Sequence, residues 1–150
     1  MRELIIQNIN NTESKELDNF GGSPFTVKHV IGGSSIDQCE VSFVEVPPGQ
    51  YAYGYHYHDQ SEEVFYIISG EGSLRTIDGD KQVSTGDMLC FPKGEKGSHL
   101  LTNTSSTDKL VYIDFAVRNS PADIAAFPDL RKYMIIGEHI NAMVDMPENK

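Results

Sequence analysis

Between Gly49 and Gly70 the chain reads GQYAYGYHYHDQSEEVFYIISG. His56 and His58 stand two residues apart, a spacing that in an extended strand puts both imidazoles on one face as a chelating pair. Glu63 follows five positions after His58, opening the apolar run 64–68, so a neighbouring strand can bring its carboxylate to the same point. His99 is a fourth candidate for that point. Tyr51, Tyr53, Tyr55 and Tyr57 alternate with Ala52, Gly54, His56 and His58, and a regular strand would set the tyrosines on the opposite, packing face. Glu62 competes with Glu63, but the register of Glu63 with Phe65 and Ile67 favours it for the inward side.

The flanking sequence is punctuated into short strands. Phe25 to Ile31 alternates in polarity as a half-buried strand does, with His29 read as a core or boundary histidine. After Gly32, Gly33, Ser34 and Ser35, residues 39–46 (CEVSFVEV) form a second strand with Cys39, Val41, Phe43 and Glu45 on one face. Pro47, Pro48 and Gly49 turn it into the histidine stretch. Glu63 to Ser69 is rich in β-branched and aromatic residues, and Asp78-Gly79-Asp80 marks a hairpin between strands at 73–77 and 81–84. Residues 88–91, 99–102 and 109–117 complete the series. In the last of these, Val111, Ile113, Phe115 and Val117 form one apolar face and Leu110, Tyr112, Asp114 and Ala116 the other, a pattern expected of a strand covered on both sides. Asp114 is the exception, either lining a pocket or hydrogen-bonded near a barrel end. Short strands at this spacing point to a β-sandwich or barrel.

The ends differ from the middle. Residues 1–24 form a polar arm closed by Gly21, Gly22, Ser23 and Pro24, in which Leu4, Ile5, Ile6 and Ile9 add an edge strand or pack on a second subunit. In residues 119–150, Ser120 as N-cap, Pro121 at the first helical position and Asp123 in the first turn predict a short helix that stops before Pro128. An apolar patch at 133–136 should dock on the barrel or a partner, and 143–150 should fray.

At 150 residues the chain fits one domain. Its formal charge of -10 argues against a nucleic-acid partner, although a divalent cation held by three neutral imidazoles and one carboxylate would keep a local positive charge for an anionic or polar ligand. No apolar run approaches the roughly 20 residues of a membrane helix, and the start lacks a signal-peptide core, so a cytoplasmic location and reduced thiols are expected. Cys39 and Cys90 are the only cysteines and form no Cys-x-x-Cys pair. Cys90, two positions after Met88, reads as a small packing residue.

Taken together, two segments resemble the motifs of the cupin family. Gly49, His56, His58, Glu63 and Gly70 match the first, and Gly86, Pro92, Gly94, His99 and Asn103, in GDMLCFPKGEKGSHLLTN, match the second. Two departures are loop insertions, one residue more between Gly49 and His56 and two more between Gly94 and His99 than the family pattern. The resemblance implies an all-β, jelly-roll barrel (a double-stranded β-helix) over residues 25–118, with the arm and the helical tail appended. It also implies one divalent transition metal between the sheets, held by His56, His58, Glu63 and His99, with Glu63 able to serve as a catalytic base, and a homodimer. Four-coordinate zinc would close the site, whereas Mn, Fe, Ni or Co in an octahedral site leaves positions open. Dioxygenase, decarboxylase and sugar-isomerase chemistry on a small oxygenated molecule are all compatible with the resemblance; a binding or sensing barrel without turnover is the alternative. Asn103 reads as a hydrogen-bond anchor rather than a ligand.

Overall fold

The computed structural model describes residues 4–17, 25–31, 36, 38–117 and 121–148. Its strands are β1 (Lys15–Leu17), β2 (Phe25–Ile31), β3 (Cys39–Val46), β4 (Tyr51–His58), β5 (Glu62–Ser69), β6 (Glu71–Thr76), β7 (Gly79–Ser84), β8 (Met88–Phe91), β9 (His99–Asn103), β10 (Leu110–Val117), β11 (Ala122–Phe127), β12 (Lys132–Gly137) and β13 (Asn141–Asp145). Two antiparallel sheets form, one in the order β1-β2-β3-β10-β5-β8 and the other β13-β12-β11-β4-β9-β6-β7. This is the all-β architecture expected. Consecutive strands repeatedly pass from one sheet to the other, which sets β4 and β9 opposite β5 and β10 across a shared interior.

That interior is filled where the alternation said it would be. Phe65 and Ile67 of β5, Leu101 of β9, and Leu110 and Tyr112 of β10 are buried, with Phe25 and Val27 of β2 closing one side. Each such side chain contributes about 1.5–3 kcal/mol on leaving water. In β3 the buried residues are Ser42, Val44 and Val46, so the face carrying Val41 and Phe43 looks outward. Gly70 turns β5 into β6 at φ +98, and a Cβ there would lie 2.8 Å from the carbonyl oxygen of Lys109. Only glycine fits both conditions. Asn103 is an anchor: its side-chain amide donates to the carbonyls of Val46 and Asp108, and its Oδ1 accepts from the Ser105 N–H.

Several expectations are corrected. The predicted C-terminal helix is instead β11, paired with β12 along its length and with the end of β4 (Ala125 with His58, Ala126 with Tyr57); a single 3-10 turn, Pro128–Leu130, is the helical part of the tail among the described residues. Unpaired backbone groups of β4 offer this segment a ladder, and that tertiary pairing overrides local cap signals. Ser120, the proposed N-cap, lies outside the described residues, as do the Gly21 to Pro24 and Gly32 to Ser35 clusters and the side chain of His29. The arm does add an edge strand, but at Lys15–Leu17 against β2, while Leu4 and Ile6 are exposed. The hairpin turns at Ile77 and Asp78, with Gly79 already in β7. Cys90 is exposed beside Met88 on the outer side of β8. In β10 Leu110 and Tyr112 are buried, while Val111 and residues 113–117 are half-buried on both faces.

Candidate metal centre

The site begins with strand pairing. His56 and His99 are cross-strand partners in β4 and β9, and their ring centroids are 4.5 Å apart. His58, two residues on, shares the inward face. Glu63 enters from the facing sheet, 7% exposed, whereas Glu62 is exposed. The ligand atoms of His56, His58 and Glu63 lie within 4.8 Å of one another. Glu63 Oε2 is 3.8 Å from His56 Nε2 and 3.4 Å from His99 Nε2, and Glu63 Oε1 is 3.5 Å from His58 Nε2.

Each imidazole is oriented through its other nitrogen. His56 Nδ1–H donates to the carbonyl of Gly54 at 2.7 Å, His99 Nδ1–H to that of Gly97 at 2.8 Å, and His58 Nδ1–H to the Asp123 carboxylate at 2.6 Å. In a neutral imidazole this leaves Nε2 as an acceptor. All three Nε2 lone pairs therefore face a carboxylate that also only accepts. Glu63 Oε2 and His99 Nε2 are buried with no hydrogen-bond partner among the described residues. Acceptors converging on acceptors in a buried site repel one another, and a cation between them removes the repulsion. The donor set of three imidazoles and one carboxylate suits a transition metal.

For His56 and His99 the electrostatics agree with this tautomer assignment. Burial, reinforced by neighbouring histidines, holds His56 well below its ordinary value, and burial likewise lowers His99 although Glu63 opposes it. For His58 burial is outweighed by the Asp123 hydrogen bond and the Glu63 charge, which raise it. Burial would raise Asp123, but hydrogen bonds from His58, the Gln60 N–H and Ser61 hold it well below the usual carboxylate range. Asp123 thus fixes the orientation of the His58 ring through its Nδ1.

Aromatic rings wall the centre. Phe91 stacks on His99 at 3.7 Å between centroids, Phe65 meets the same ring edge-on at 5.3 Å, and Phe127 stacks on His56 at 5.3 Å. Beyond the histidines a cavity of about 590 Å³ opens between the sheets, in the range of small-molecule sites. Its wall combines Ser42, Tyr53, Ser61, Asp114 and Asp123 with apolar Phe25, Ala125, Phe127, Met134 and Ile136. Asp114 takes the pocket-lining role that the alternation of β10 left open.

Tyr53 departs from the regular tyrosine face. It has φ 56, at an irregularity in the β4–β9 register between Ala52 and His56, and turns inward to pack edge-on against Phe25 at 4.8 Å. A left-handed non-glycine residue costs of order 1–3 kcal/mol and persists where its surroundings hold it. Asp123 and Phe127 were missed because their segment reads as a helix. The remaining trace of a strand was the period-two row Asp123, Ala125, Phe127, all buried, against exposed Ala122 and Ile124, an alternation that buried Ala126 interrupts.

The Cupin domain family matches residues 42–116. An oxalate-binding protein of Thermotoga maritima is 35% identical over 65 residues, which is 43% of this chain and 51% of that protein; the chain thus matches about half of that relative's length. A putative sugar phosphate isomerase from Acidithiobacillus ferrooxidans superposes with a TM-score of 0.81 at 23% identity, covering 95% of this chain and 91% of its own. A sugar phosphate isomerase of the cupin superfamily from Silicibacter pomeroyi gives 0.81 at 18% identity, with 97% of each chain covered. The similarity in fold spans nearly the whole chain, the family match spans the strands that carry His56, His58, Glu63 and His99, and the protein belongs to the cupin family.

Proposed function

We propose that this cupin is a metal-dependent enzyme acting on a small oxygenated molecule, with one divalent transition metal held by His56, His58, Glu63 and His99. The observation that carries the reading is the convergence of three imidazole Nε2 atoms on the Glu63 carboxylate without a donor among them, at the head of a cavity with polar groups in its wall. An apolar, filled interior would have removed the enzyme reading. Mn, Fe, Ni, Co and Zn all accept such mixed nitrogen and oxygen ligation. When bound, the ion supplies a positive charge that polarises a substrate oxygen.

The protein's own groups divide the remaining work. Gly54, Gly97 and Asp123 hold the three histidines in the ligating tautomer. Phe65, Phe91 and Phe127 keep water from the centre and restrict ring rotation. Glu63 balances the cation charge, and a shift of one of its oxygens would let it take a proton. A second reading, a small-molecule-binding barrel without turnover, is favoured by the match to a protein named for oxalate binding.

Elemental analysis of untagged protein from metal-replete medium tests the proposal. Near-stoichiometric transition metal is expected, lost in His56→Ala and His58→Ala and retained in Glu62→Ala. Metal-free wild-type protein would overturn it, and loss equal to theirs in Glu62→Ala would reassign the carboxylate. Bound metal without turnover of small hydroxy acids, keto acids or sugars would favour the binding barrel.

We infer further that the chain forms a homodimer. Support comes from the outer side of the first sheet, where half-buried Val41, Phe43, Val111, Ile113 and Phe115 adjoin Tyr66, Ile68 and Met88, the last 65% exposed. A contiguous apolar sheet face is uncommon on a monomer. The tyrosine row contributes less than its pattern implies, because Tyr53 turns inward and the Arg75 guanidinium covers the Tyr55 ring at 4.0 Å.

A further inference from the structure

We propose that the ligand of this cavity joins one anionic oxygen head, placed at the histidine cluster, to an uncharged apolar body lying along β11 and β12. Met134 is the residue that selects this body, and phosphorylated or doubly anionic compounds are rejected. The proposal rests on the metal-centre reading and deepens it by naming the ligand class.

Strand register builds the wall. His58 of β4 lies opposite Ala125 of β11, and Ala125 lies opposite Met134 of β12, so the three form one row across the sheet. Residues directly opposite in a ladder project to the same face, and all three line the cavity. Neighbouring strands stand about 4.8 Å apart, which sets Met134 about 10 Å from His58, with the small Ala125 between them. The adjoining row pairs Asp123 with Ile136, and Phe127, stacked on His56, closes the side. A trough results, with an imidazole at one end, a methyl group as its floor, and a thioether and a branched alkyl group at the other end.

Charge separates the two ends. A divalent cation with three neutral imidazoles and Glu63 keeps a net positive charge of about one, which matches one anionic oxygen. Beyond that centre the wall holds the carboxyl groups of Glu40, Asp114 and Asp123, and no Lys or Arg lines the cavity among the described residues. A phosphate or second carboxylate on the ligand would therefore be buried beside acceptors without a cation, which is unfavourable. A hydrocarbon body instead leaves water for contact with Phe25, Met134 and Ile136.

These apolar groups lie outside residues 42–116, the segment matched to the cupin family. Phe25 precedes it, and Phe127, Met134 and Ile136 follow it, whereas the four candidate metal ligands fall inside. Selectivity is therefore set by segments that the family pattern leaves free. Met134 is half-buried, so the aliphatic stem of a longer charged side chain can follow its course.

Isothermal titration calorimetry of untagged, metal-containing protein tests the proposal with 2-oxo acids that share a head and differ in the body. The wild type should bind 4-methyl-2-oxopentanoate at least about 10-fold more tightly than pyruvate, since its added carbons leave water. It should bind 2-oxoglutarate at least about 30-fold more weakly than 4-methyl-2-oxopentanoate, and fructose 6-phosphate should not displace the branched acid. Met134→Lys, at unchanged metal content, should shift the preference toward 2-oxoglutarate by at least about 10-fold. Met134→Ala should weaken 4-methyl-2-oxopentanoate about 5-fold and leave pyruvate unchanged, and it decides the matter if Met134→Lys does not fold. Equal or tighter binding of 2-oxoglutarate by the wild type, displacement by fructose 6-phosphate, or Met134 variants with wild-type affinities would each overturn this proposal alone. So would metal-containing wild type that binds none of the acids. Metal-free wild-type protein would overturn the metal-centre reading and this one with it.

Discussion

Asp123 and Asp114 line one cavity, and their surroundings drive them in opposite directions. Hydrogen bonds depress Asp123 against the effect of burial, so the folded state binds fewer protons than the unfolded chain near its ordinary value of about 3.9. Its stabilisation is present above that value and is lost as pH falls through the folded one. Asp123→Asn should therefore lower the melting temperature at neutral pH, flatten the acid limb of a melting-temperature profile, and weaken metal binding about 10- to 100-fold in a metal titration. Asp114 is raised by burial, so between its unfolded and folded values the folded state binds more protons and stability declines as pH rises. Asp114→Asn should melt higher than wild type at about pH 8, with the difference closing below about pH 4. The inward placement of Glu63 and the outward placement of Glu62 were legible because a period of two separates the two faces of β5. The roles of Asp114 and Asp123 depend on which other strands meet them.

Among the elements, β11 and the loop before β9 carry the site. Strand β11 brings Asp123 to His58 and Phe127 onto His56 by pairing with β4. Removing the ring in Phe127→Ala should cost about 3 kcal/mol in denaturant unfolding and reduce bound metal with it. In the loop, Gly97 accepts from His99 Nδ1–H, and a Cβ on Gly97 would sit 1.8 Å from the carbonyl oxygen of Pro92. Gly97→Ala should destabilise the chain by about 3 kcal/mol and displace His99, read as lower metal content in whatever folds. Most strands were visible as alternations bounded by Gly and Pro. The helix predicted at 120–127 was not found because Ser-Pro-x-Asp is a local signal, worth about 1 kcal/mol, and pairing along β12 and β4 outweighs it.

For the whole molecule, the outer apolar face of the β3–β10–β5–β8 region sets the expected assembly. Light scattering at micromolar concentration should show a dimer for the wild type and a monomer for Met88→Glu, with the melting temperature of the separated chain little changed because Met88 is exposed. A monomeric wild type would remove the interface. By itself the sequence determined the all-β class, the strand series from Phe25 to Val117 and the four candidate ligands, since strand period, turn residues and chelating spacing are local properties that survive any arrangement of the strands. Tertiary structure decided what depends on which strands become neighbours. It replaced the tail helix with β11, because a pairing edge lay within reach. It turned Tyr53 inward at a break in the β4–β9 register, and it brought Asp123, 65 residues away, to within 2.6 Å of His58. Contacts so distant in sequence leave no periodicity to read; they exist only once burial and backbone pairing have closed the two sheets on one another.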